Sequence, residues 1–295
     1  MSISRQNLSV IIVSYISGEV IHNCIKSIPK DIQIIVVDNS SDERFKFDIE
    51  KRYNNIKCIL SPENLGMGAG NNLGLKHTNT DYVLILNPDV ILENNTIDEL
   101  INASNKIDLF GIIAPIINSD KNINFKLFDK NKINIDNSKP FLVKSVDGFA
   151  MLLNVKKINQ IDKFKNFNFF DENIFLYLEN DDLCLRTKKK NEKIYIINNS
   201  IIDHIGASSS NFNQNKEIEY LRNWHWMWSK FYFNKKHKGY LNAFFKIFFN
   251  LISAKIKFVY YFLTFNSHKK KIYQMRILGL LNSMLLKKSF YRLED

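Results

Sequence analysis

The first 90 residues alternate short apolar runs with segments that fit a helix, and this alternation constrains the fold more than any other feature. The apolar runs are Leu8–Val13, Ile32–Val37, Ile56–Leu60 and Tyr82–Leu86. Helix-compatible segments separate them, at about residues 18–28, 43–52 and up to 77. Strands that alternate with helices predict βαβ units, a parallel sheet and helices on both of its faces. We therefore expect an α/β fold.

Composition excludes several broad classes of protein. The chain has 295 residues, of which 45% are hydrophobic and 24% charged, with only 10 Gly and 5 Pro. Collagen-like, low-complexity and wholly disordered chains have other compositions, and this length leaves room for one large domain with an appendage. The three cysteines, Cys24, Cys58 and Cys184, form neither a disulfide framework nor a zinc pattern. Because the first ten residues also lack a secretory signal, we expect a cytoplasmic location.

Polar or glycine-rich segments follow all four apolar runs. They are Ser14-Tyr15, Asp38 to Asp42, Pro62 to Asn72, and Asn87-Pro88-Asp89. Each segment alone fits a turn or a helix N-cap. Ligand sites in open α/β sheets gather at the carboxyl ends of the strands, so four such segments at one edge indicate a site. Asp38 suits the imide N–H of uracil or thymine, and Asp89 suits a hard divalent cation.

Seven short motifs follow one another along the first 210 residues. They are Val10-Ile-Ile-Val-Ser-Tyr15, Val36-Val-Asp-Asn-Ser-Ser41, Glu63-Asn-Leu-Gly66 continuing to Gly74, Leu86-Asn-Pro-Asp-Val90, Val146-Asp-Gly-Phe-Ala150, Phe175 to Arg186, and His204-Ile-Gly-Ala-Ser-Ser209. This ordered series resembles the family 2 glycosyltransferases of the GT-A fold, in particular their rhamnosyltransferase-like branch. The resemblance implies a GT-A (Rossmann-like) open mixed sheet flanked by helices over residues 1–210. Nucleotide-sugar binding would occupy about residues 1–115 and the acceptor side about residues 140–210.

The resemblance also implies a reaction. Family members transfer a sugar from a nucleotide diphosphate donor to an acceptor hydroxyl, generally with inversion at the anomeric carbon. The residues predicted to bind the donor are Ser14, Tyr15, Asp38, Asn64, Gly66, Gly70, Asn71, Asn87 and Asp89. We interpret the glycine-rich segment as a loop that lets the backbone approach the donor. Its glycines do not have the spacing of a dinucleotide-binding fingerprint.

A divalent metal, Mg²⁺ or Mn²⁺, is the cofactor that the resemblance implies. The leaving diphosphate gains negative charge, which a cation can stabilise in the transition state. By analogy with the family's DxD element, Asp89 is the main metal carboxylate, while Asn87 replaces the usual first acid and lowers the charge of the ligand set. His204, from the late HxGxxS-like element, is the second candidate ligand, and imidazole suits Mn²⁺ better than Mg²⁺. A structural role is the alternative for His204.

The cluster Glu179-Asn180-Asp181-Asp182 is the candidate catalytic segment. In the family's usual Glu-Asp-x-Asp-Leu pattern, the Asp after the Glu is the general base, and here that position is Asn180. An amide cannot act as a general base, so either Glu179 or Asp181 takes the proton, or the loop has a different register. We favour Glu179, with Asp182 orienting the acceptor or backbone groups. The alternative is that these acids complement a helix dipole.

The acceptor side is predicted from three further residues. Asp147 is a candidate contact for a sugar hydroxyl, Gly148 for a close approach of the sugar, and Arg186 for acceptor binding. An ordinary turn is the alternative for Asp147. The Asn- and Lys-rich segment at about 118–144 has little periodicity and fits either an irregular excursion or a lid.

The last third of the chain carries all of the excess positive charge. Residues 201–295 contain 16 Lys and Arg against 5 Asp and Glu, and no acidic residue lies between Leu221 and Leu293. Aromatic residues are dense in Tyr220–Phe233 and Phe244–Phe265. Basic, aromatic helices suit an anionic membrane surface, and no apolar run is long enough to span a bilayer. We expect residues 211–295 to form a helical extension, either peripheral at the inner face of the membrane through 220–292 or packed on the catalytic domain.

Three functions from different classes are compatible with the sequence. The leading one is an inverting hexosyltransferase that uses a dTDP- or UDP-activated sugar, with L-rhamnose as a candidate, on a saccharide or polyprenyl-linked acceptor of a cell-surface polysaccharide. A nucleotidyltransferase on a similar sheet is the second, but the segment after the first strand lacks the basic residues it would need. A non-enzymatic nucleic-acid binder that uses the basic tail is the third.

Overall fold

The computed structural model of the chain describes residues 2–107, 109–119, 122–128, 139–159, 169–204 and 215–292. The chain divides into two compact units. Unit 1 comprises Met1–Asp171 and Asn180–Asn211, and unit 2 comprises Glu172–Glu179 and Phe212–Asp295.

The first half of unit 1 is the predicted alternation of strands and helices. After a short 3₁₀ turn (Arg5–Asn7), the elements are β1 (Leu8–Ser14), α1 (Val20–Ser27), β2 (Gln33–Asp38), α2 (Glu43–Arg52), β3 (Ile56–Leu60), α3 (Gly66–Lys76) and β4 (Tyr82–Leu86). The four strands are parallel and lie in the order β3-β2-β1-β4. All four predicted runs are therefore strands, and their carboxyl ends lie at one edge.

The second half of unit 1 makes the sheet mixed. Its elements are β5 (Val90–Leu92), α4 (Thr96–Ser104), β6 (Ile112–Ile117), β7 (Phe125–Lys126), β8 (Phe141–Leu142), β9 (Ser145–Val146), β10 (Ala150–Asn154), α5 (Val155–Asn159), α6 (Glu179–Lys189) and β11 (Ile194–His204). Strand β10 is antiparallel to β4 and β6, whereas β11 is parallel to β6 and antiparallel to β5. The sheet order is β3-β2-β1-β4-β10-β6-β11-β5, with β8 beside β11 and β7 paired with β9 separately. The predicted open mixed sheet is confirmed.

Helices cover both faces of this sheet because its strands are apolar on both sides. Val10 and Ile12 of β1 belong to a buried core that includes residues of α1, α2 and α4. Ile11 and Val13 belong to the core on the other face, which includes residues of α3 and α6. Successive side chains of a strand point to opposite faces, so one apolar run supplies both cores.

Helix α3 replaces the loop that we predicted for the glycine-rich segment. It begins at Gly66, whose φ of 81° is in the left-handed region that favours glycine. A Cβ atom on Gly74 would lie 2.7 Å from Cγ2 of Ile11, and one on Gly70 would lie 2.8 Å from Cγ1 of Val13. The glycines of α3 therefore allow the helix to pack closely on β1. The helix-compatible segment up to residue 77 is confirmed. The loop predicted for the glycines was wrong, because their spacing also fits one helix face.

The described part of unit 2 comprises three long helices and the segment 172–179. The helices are α7 (Asn215–Lys238), α8 (Tyr240–Leu263) and α9 (Ser267–Met284). One apolar cluster includes Phe231, Ile247 and Leu280, so all three helices contribute to it. A second includes Trp224 and Met275. Among the described residues, no helix combines the length and the apolar character needed to cross a membrane.

The segment 172–179 is held by α7. The Ser229 hydroxyl donates a hydrogen bond of 2.8 Å to the carbonyl oxygen of Leu176. The ring of Phe175 lies 4.6 Å from the His225 ring, measured between centroids. Tyr177 and Leu178 both have a φ of 70°, an unfavourable conformation for residues with a Cβ. Strained backbone therefore comes directly before the candidate catalytic cluster.

Candidate functional site

The carboxyl edge of the parallel strands brings the first two predicted segments together. Ser14 and Asp38 are register partners at the ends of β1 and β2. The backbone N–H of Asn39 donates to the carbonyl oxygen of Ser14 over 2.8 Å. The Ser14 hydroxyl donates to the Ser17 hydroxyl, and Tyr15 is half-buried beside it. Contacts of Ser14 and Tyr15 with a nucleotide-sugar donor stay predictions.

Asp38 is buried and fixes the turn that follows β2. Its carboxylate accepts hydrogen bonds from the Ser40 hydroxyl (2.7 Å) and from the backbone N–H groups of Ser40 (3.3 Å) and Asp42 (2.8 Å). Asp42 in turn caps α2 through the backbone N–H groups of Arg44 and Phe45. The turn is therefore rigid without a ligand, and contact of Asp38 with a nucleobase stays a prediction.

Asn64 has a structural contact at the start of α3. Its side-chain oxygen accepts a hydrogen bond of 3.1 Å from the backbone N–H of Gly66. The Asn39 amide N–H group donates to the carbonyl oxygen of Gly66 over 3.2 Å. These two bonds join the turn after β2 to the first turn of α3.

Four buried side-chain oxygens at this edge find no hydrogen-bond donor in the described part of the chain. They are the Oδ1 atoms of Asn39, Asn71, Asn87 and Asp89. A buried polar atom without a partner costs about 1–3 kcal/mol, so native proteins rarely tolerate several together. Because all four are acceptors, the partners that suit them are hydroxyl groups, N–H groups or a cation. This pattern is typical of a ligand site.

Asp89 and His204 approach each other because two strands pair. The turn from Asn87 to Val90 is closed by a backbone hydrogen bond of 3.2 Å between these two residues. Strand β11 is antiparallel to β5, with His204 in register with Val90. As a result, Nε2 of His204 lies 3.4 Å from Oδ1 of Asp89. The ring of Phe149 stacks on His204 at 4.1 Å between centroids and fixes its plane.

This pair fits a divalent cation with an incomplete protein shell. Asp89 is only 3% exposed, and its Oδ1 atom makes no hydrogen bond with the described residues, although Nε2 of His204 lies 3.4 Å away. Within the residues that the structure describes, no group of three or more His, Cys, Asp and Glu side chains could hold a metal. Phosphate oxygens and water would have to supply the other ligands, as is common for Mg²⁺. Residues 205–209 of the predicted late element lie outside the described residues.

The start of α6 packs against the turn before β10. The Asn180 side-chain amide donates a hydrogen bond of 2.8 Å to the carbonyl oxygen of Val146. A Cβ atom on Gly148 would lie 3.1 Å from Cβ of Asn180, so a larger residue would crowd this contact. Nζ of Lys126 lies 2.8 and 2.7 Å from the two carboxylate oxygens of Asp181. Close packing explains the glycine at 148, and its approach to an acceptor stays a prediction.

Asp182 and Arg186 form an ion pair one helical turn apart. Asp182 is fully buried, and Nε of Arg186 donates to its Oδ2 over 2.8 Å. The Arg186 guanidinium also donates to the carbonyl oxygen of Phe169. These contacts anchor α6, and they give both side chains polar partners within the protein. Their predicted roles toward an acceptor are untested, as is that of Glu179, which belongs to unit 2.

Asp147 is a partly buried carboxylate in the same neighbourhood. Burial raises its pKa, and the negative charge of Asp181 adds to this rise, whereas Lys126 and His204 oppose it. The charges of Asp181 in α6 and of His204 beside Asp89 therefore both act on the Asp147 carboxyl. A carboxyl with a raised pKa in such surroundings is a candidate for proton transfer or for a hydroxyl contact.

The sequence reasoning missed three residues at this edge. Asn39 lies inside the motif Val36–Ser41, and its position directly after the second apolar run was a usable signal. Phe149 also lies inside a quoted motif, but its stacking on His204 depends on the tertiary structure. Lys126 lies in a segment without periodicity, so the sequence carried no signal for its ion pair with Asp181.

Comparisons with known proteins agree with the fold. The chain is 28% identical over 204 residues to a curated protein of Haloferax volcanii, the low-salt glycan biosynthesis hexosyltransferase Agl10. The match covers 64% of each chain. The chain thus spans less than two thirds of that relative's length. The mannosyltransferase PcManGT of Pyrobaculum calidifontis, solved with GDP-Man and Mn²⁺, has a TM-score of 0.55 at 11% identity, over 96% of this chain and 88% of its own.

A second solved structure, GalNAc-T7 with UDP, GalNAc and Mn²⁺, has a TM-score of 0.53 at 13% identity. It matches 84% of this chain and 57% of its own. At such identities these two structures support the GT-A fold alone. The sequence model described as glycosyl transferase family 2 matches residues 9–175, which is more than half of the chain. The chain belongs to glycosyl transferase family 2.

Proposed function

We propose that the chain is an inverting hexosyltransferase that transfers a sugar from a dTDP- or UDP-activated donor to a saccharide hydroxyl. L-rhamnose is the first donor sugar to test, and a lipid-linked intermediate of a cell-surface polysaccharide is the proposed acceptor. One observation carries the proposal: the buried Asp89 carboxylate lacks a hydrogen-bond donor on Oδ1 and lies 3.4 Å from His204 at the carboxyl edge of the sheet. The hexosyltransferase named in the comparison supports the reaction class.

Asp89 and His204 are the residues that would hold a divalent cation, Mg²⁺ or Mn²⁺. When bound, the cation supplies positive charge to the diphosphate leaving group. The two solved structures described above contain Mn²⁺, which supports the choice of metal. The stacking of Phe149 on His204 holds the imidazole plane, so the ring loses little freedom on binding.

The unpartnered amide oxygens would bind the hydroxyl and N–H groups of the donor. A phosphate oxygen cannot pair with them, because both atoms are acceptors. Asn39, Asn71 and Asn87 therefore suit the ribose, the sugar or the base of a nucleotide sugar. We propose that the Asp38 carboxylate accepts a hydrogen bond from the imide N–H of the base. Hydrogen bonds from Ser40 and Asp42 already hold this carboxylate in place.

Glu179 is the proposed general base. Asn180 occupies the family's usual base position and uses its amide to bind the carbonyl oxygen of Val146. Both carboxylate oxygens of Asp181 contact Lys126, so removing a proton from an acceptor would disturb an existing ion pair. Asp147 is proposed as a contact for the acceptor hydroxyl.

Thermal unfolding with a panel of nucleotide sugars, with and without Mn²⁺, tests the donor. A ligand that binds only the folded state raises the apparent stability. We expect dTDP- or UDP-sugars to raise the Tm more with Mn²⁺ than without it. Stabilisation by nucleoside triphosphates alone, with release of pyrophosphate, would favour a nucleotidyltransferase and contradict the proposal.

The variant Asp89→Ala tests the metal carboxylate. We expect it to lose the Mn²⁺-dependent part of the Tm increase and at least about 100-fold in donor turnover, as for other groups that stabilise charge in the transition state. Asp203→Ala is the matched control, because Asp203 is an exposed acid of β11, the strand that carries His204. Unchanged turnover in Asp89→Ala would remove Asp89 from the proposed site.

A further inference from the structure

Helix α8 has an outer face that is apolar and exposed. Its buried residues, Ala243, Ile247 and Ala254, form the inner face within unit 2. Six large apolar residues on the other side are exposed: Leu241, Phe245, Phe249, Ile252, Ile256 and Val259. At about 100° per residue, these six fall within an arc of about 80° on the helix. We call this set the α8 outer face.

The exposure of this face is large for a protein in water. Phe249 is 76% exposed, Leu241 71% and Phe245 69%. Single exposed apolar residues are ordinary, but a continuous row of them marks an interaction surface. No neighbour within the described part of unit 2 covers these three side chains.

Lysines lie on both sides of the α8 outer face. Lys246 and Lys257 follow it in one direction around the helix, where Asn250 and Ser253 continue a polar strip. Lys255, which is exposed, lies at the opposite edge. Nζ of Lys246 donates to Oδ1 of Asn234 in α7 over 2.9 Å, and Nζ of Lys257 lies 5.4 Å from the centroid of the Tyr273 ring in α9. A lysine can keep its apolar stem beside buried groups while its ammonium group stays in water. Basic residues that flank an apolar stripe are typical of helices that lie in the plane of a membrane interface.

The charge of unit 2 identifies the partner. No Asp or Glu occurs from Leu221 to Arg292, a stretch that includes α8, α9 and most of α7. A second copy of this chain would bring its own lysines toward these lysines, without a carboxylate on either helix to compensate. An anionic lipid surface supplies both the negative charge and the apolar layer. We propose that the α8 outer face binds anionic membranes, with the helix lying parallel to the bilayer.

This inference deepens the proposed function by naming the surface that would bring the enzyme to a lipid-linked acceptor. It rests on residues of unit 2 alone and does not depend on the donor site. Its test therefore uses binding to vesicles, whereas the proposed function is tested by donor binding and turnover. One can fail without the other.

Flotation of the full chain with vesicles tests the inference. We expect binding to phosphatidylcholine vesicles that contain about one third phosphatidylglycerol, and weak binding to pure phosphatidylcholine. The double variant Phe245→Gln/Phe249→Gln should lower binding to the anionic vesicles by about tenfold or more, since two apolar rings no longer insert. Phe47→Gln is the matched control, because Phe47 is a Phe of unit 1 with 64% exposure, and it should bind like the wild type.

The charge is tested in the same assay. Lys255→Glu should weaken binding to anionic vesicles by about 30-fold, since the change replaces an attractive charge near the surface with a repulsive one of similar size. Lys106→Glu, an exposed lysine of unit 1, is its control. Equal binding of wild type and the Phe double variant would overturn the proposal.

A direct readout separates insertion from other contacts. In Phe249→Trp, brominated lipids should quench the added fluorescence relative to the wild-type background of three Trp residues. Absence of added quenching would contradict insertion of the α8 outer face. A wild-type dimer that the Phe double variant converts to a monomer, with no vesicle binding, would show that a second copy covers this face and would also overturn the proposal.

Discussion

At the scale of single residues, the main departure from the family pattern is the amide at position 180. Asn180 binds the carbonyl oxygen of Val146, and this bond positions the start of α6 against the turn that carries Asp147 and Gly148. The residue thus holds this turn, which belongs to the predicted acceptor side, while its amide cannot take a proton. A neighbouring carboxylate must do so if the proposed reaction is right.

Conservative variants identify that carboxylate. We expect Glu179→Gln to lower turnover by about 100- to 10,000-fold, the usual contribution of a general base, while donor binding stays intact. Asp181→Asn should have a smaller effect, because Asp181 is engaged by Lys126. The measurement is initial rate at saturating donor, with the Tm increase by donor as the control for binding. Normal rates in both variants would rule out both residues as the base.

At the scale of elements, glycines set how closely helices approach their neighbours. In unit 1, Gly70 and Gly74 allow α3 to lie against β1. In unit 2, Gly279 of α9 faces the backbone of Trp224 in α7, and the carbon of the Trp224 carbonyl group would lie 2.9 Å from an added Cβ. Backbone cannot rotate away as a side chain can, so the two helices would have to separate.

Gly279→Ala is therefore expected to destabilise unit 2. The cost should be about 1–3 kcal/mol in the free energy of unfolding, the usual range for overpacking, and at the upper end because the obstacle is backbone. Chemical denaturation followed by Trp fluorescence measures it, since all three Trp residues lie in α7. Leu278→Ala, a change at the exposed neighbouring residue, should cost less. An unchanged midpoint for Gly279→Ala would contradict the close contact of α7 and α9.

At the scale of the whole molecule, acid stability depends on a buried histidine of unit 2. His225 is fully buried, and its Nε2 lies 2.8 Å from the carbonyl oxygen of Tyr291, which can only accept a hydrogen bond. Nε2 must therefore carry the proton, and Nδ1 accepts from the Ser289 hydroxyl at 2.9 Å. Burial lowers the pKa of His225 to about 3; the hydrogen bond to Tyr291 opposes this shift, and the positive charge of Arg292 adds to it.

The sign of the resulting pH dependence follows from linkage. Below pH 6.5 the unfolded chain takes up a proton at this residue and the folded chain does not, so stability falls as the pH is lowered. The loss should approach about 2 kcal/mol between pH 6.5 and pH 5. Hydrogen exchange of α7 amides, corrected for intrinsic rates, measures it. His225→Gln should reduce this slope, whereas His77→Gln, at an exposed histidine, should leave it unchanged; an equal slope in both variants would refute the assignment.

The sequence by itself determined the strands β1 to β4, the helices between them and the polar edge where they end. These features depend on hydrophobic periodicity and turn residues, which act over a few neighbouring positions. The motifs also identified the family. The same local signals were ambiguous for the glycine-rich segment, where spacing fits both a loop and the helix α3.

Only the tertiary structure decided which distant residues meet. Asp89 and His204 approach each other because β5 and β11 pair. Lys126 lies in a segment without hydrophobic periodicity, yet it forms an ion pair with Asp181. Packing against α7 and α9 likewise decided which face of α8 is buried, since both sides of that helix carry apolar residues. Contacts between residues far apart in the chain depend on register and packing, and no short stretch of sequence contains that information.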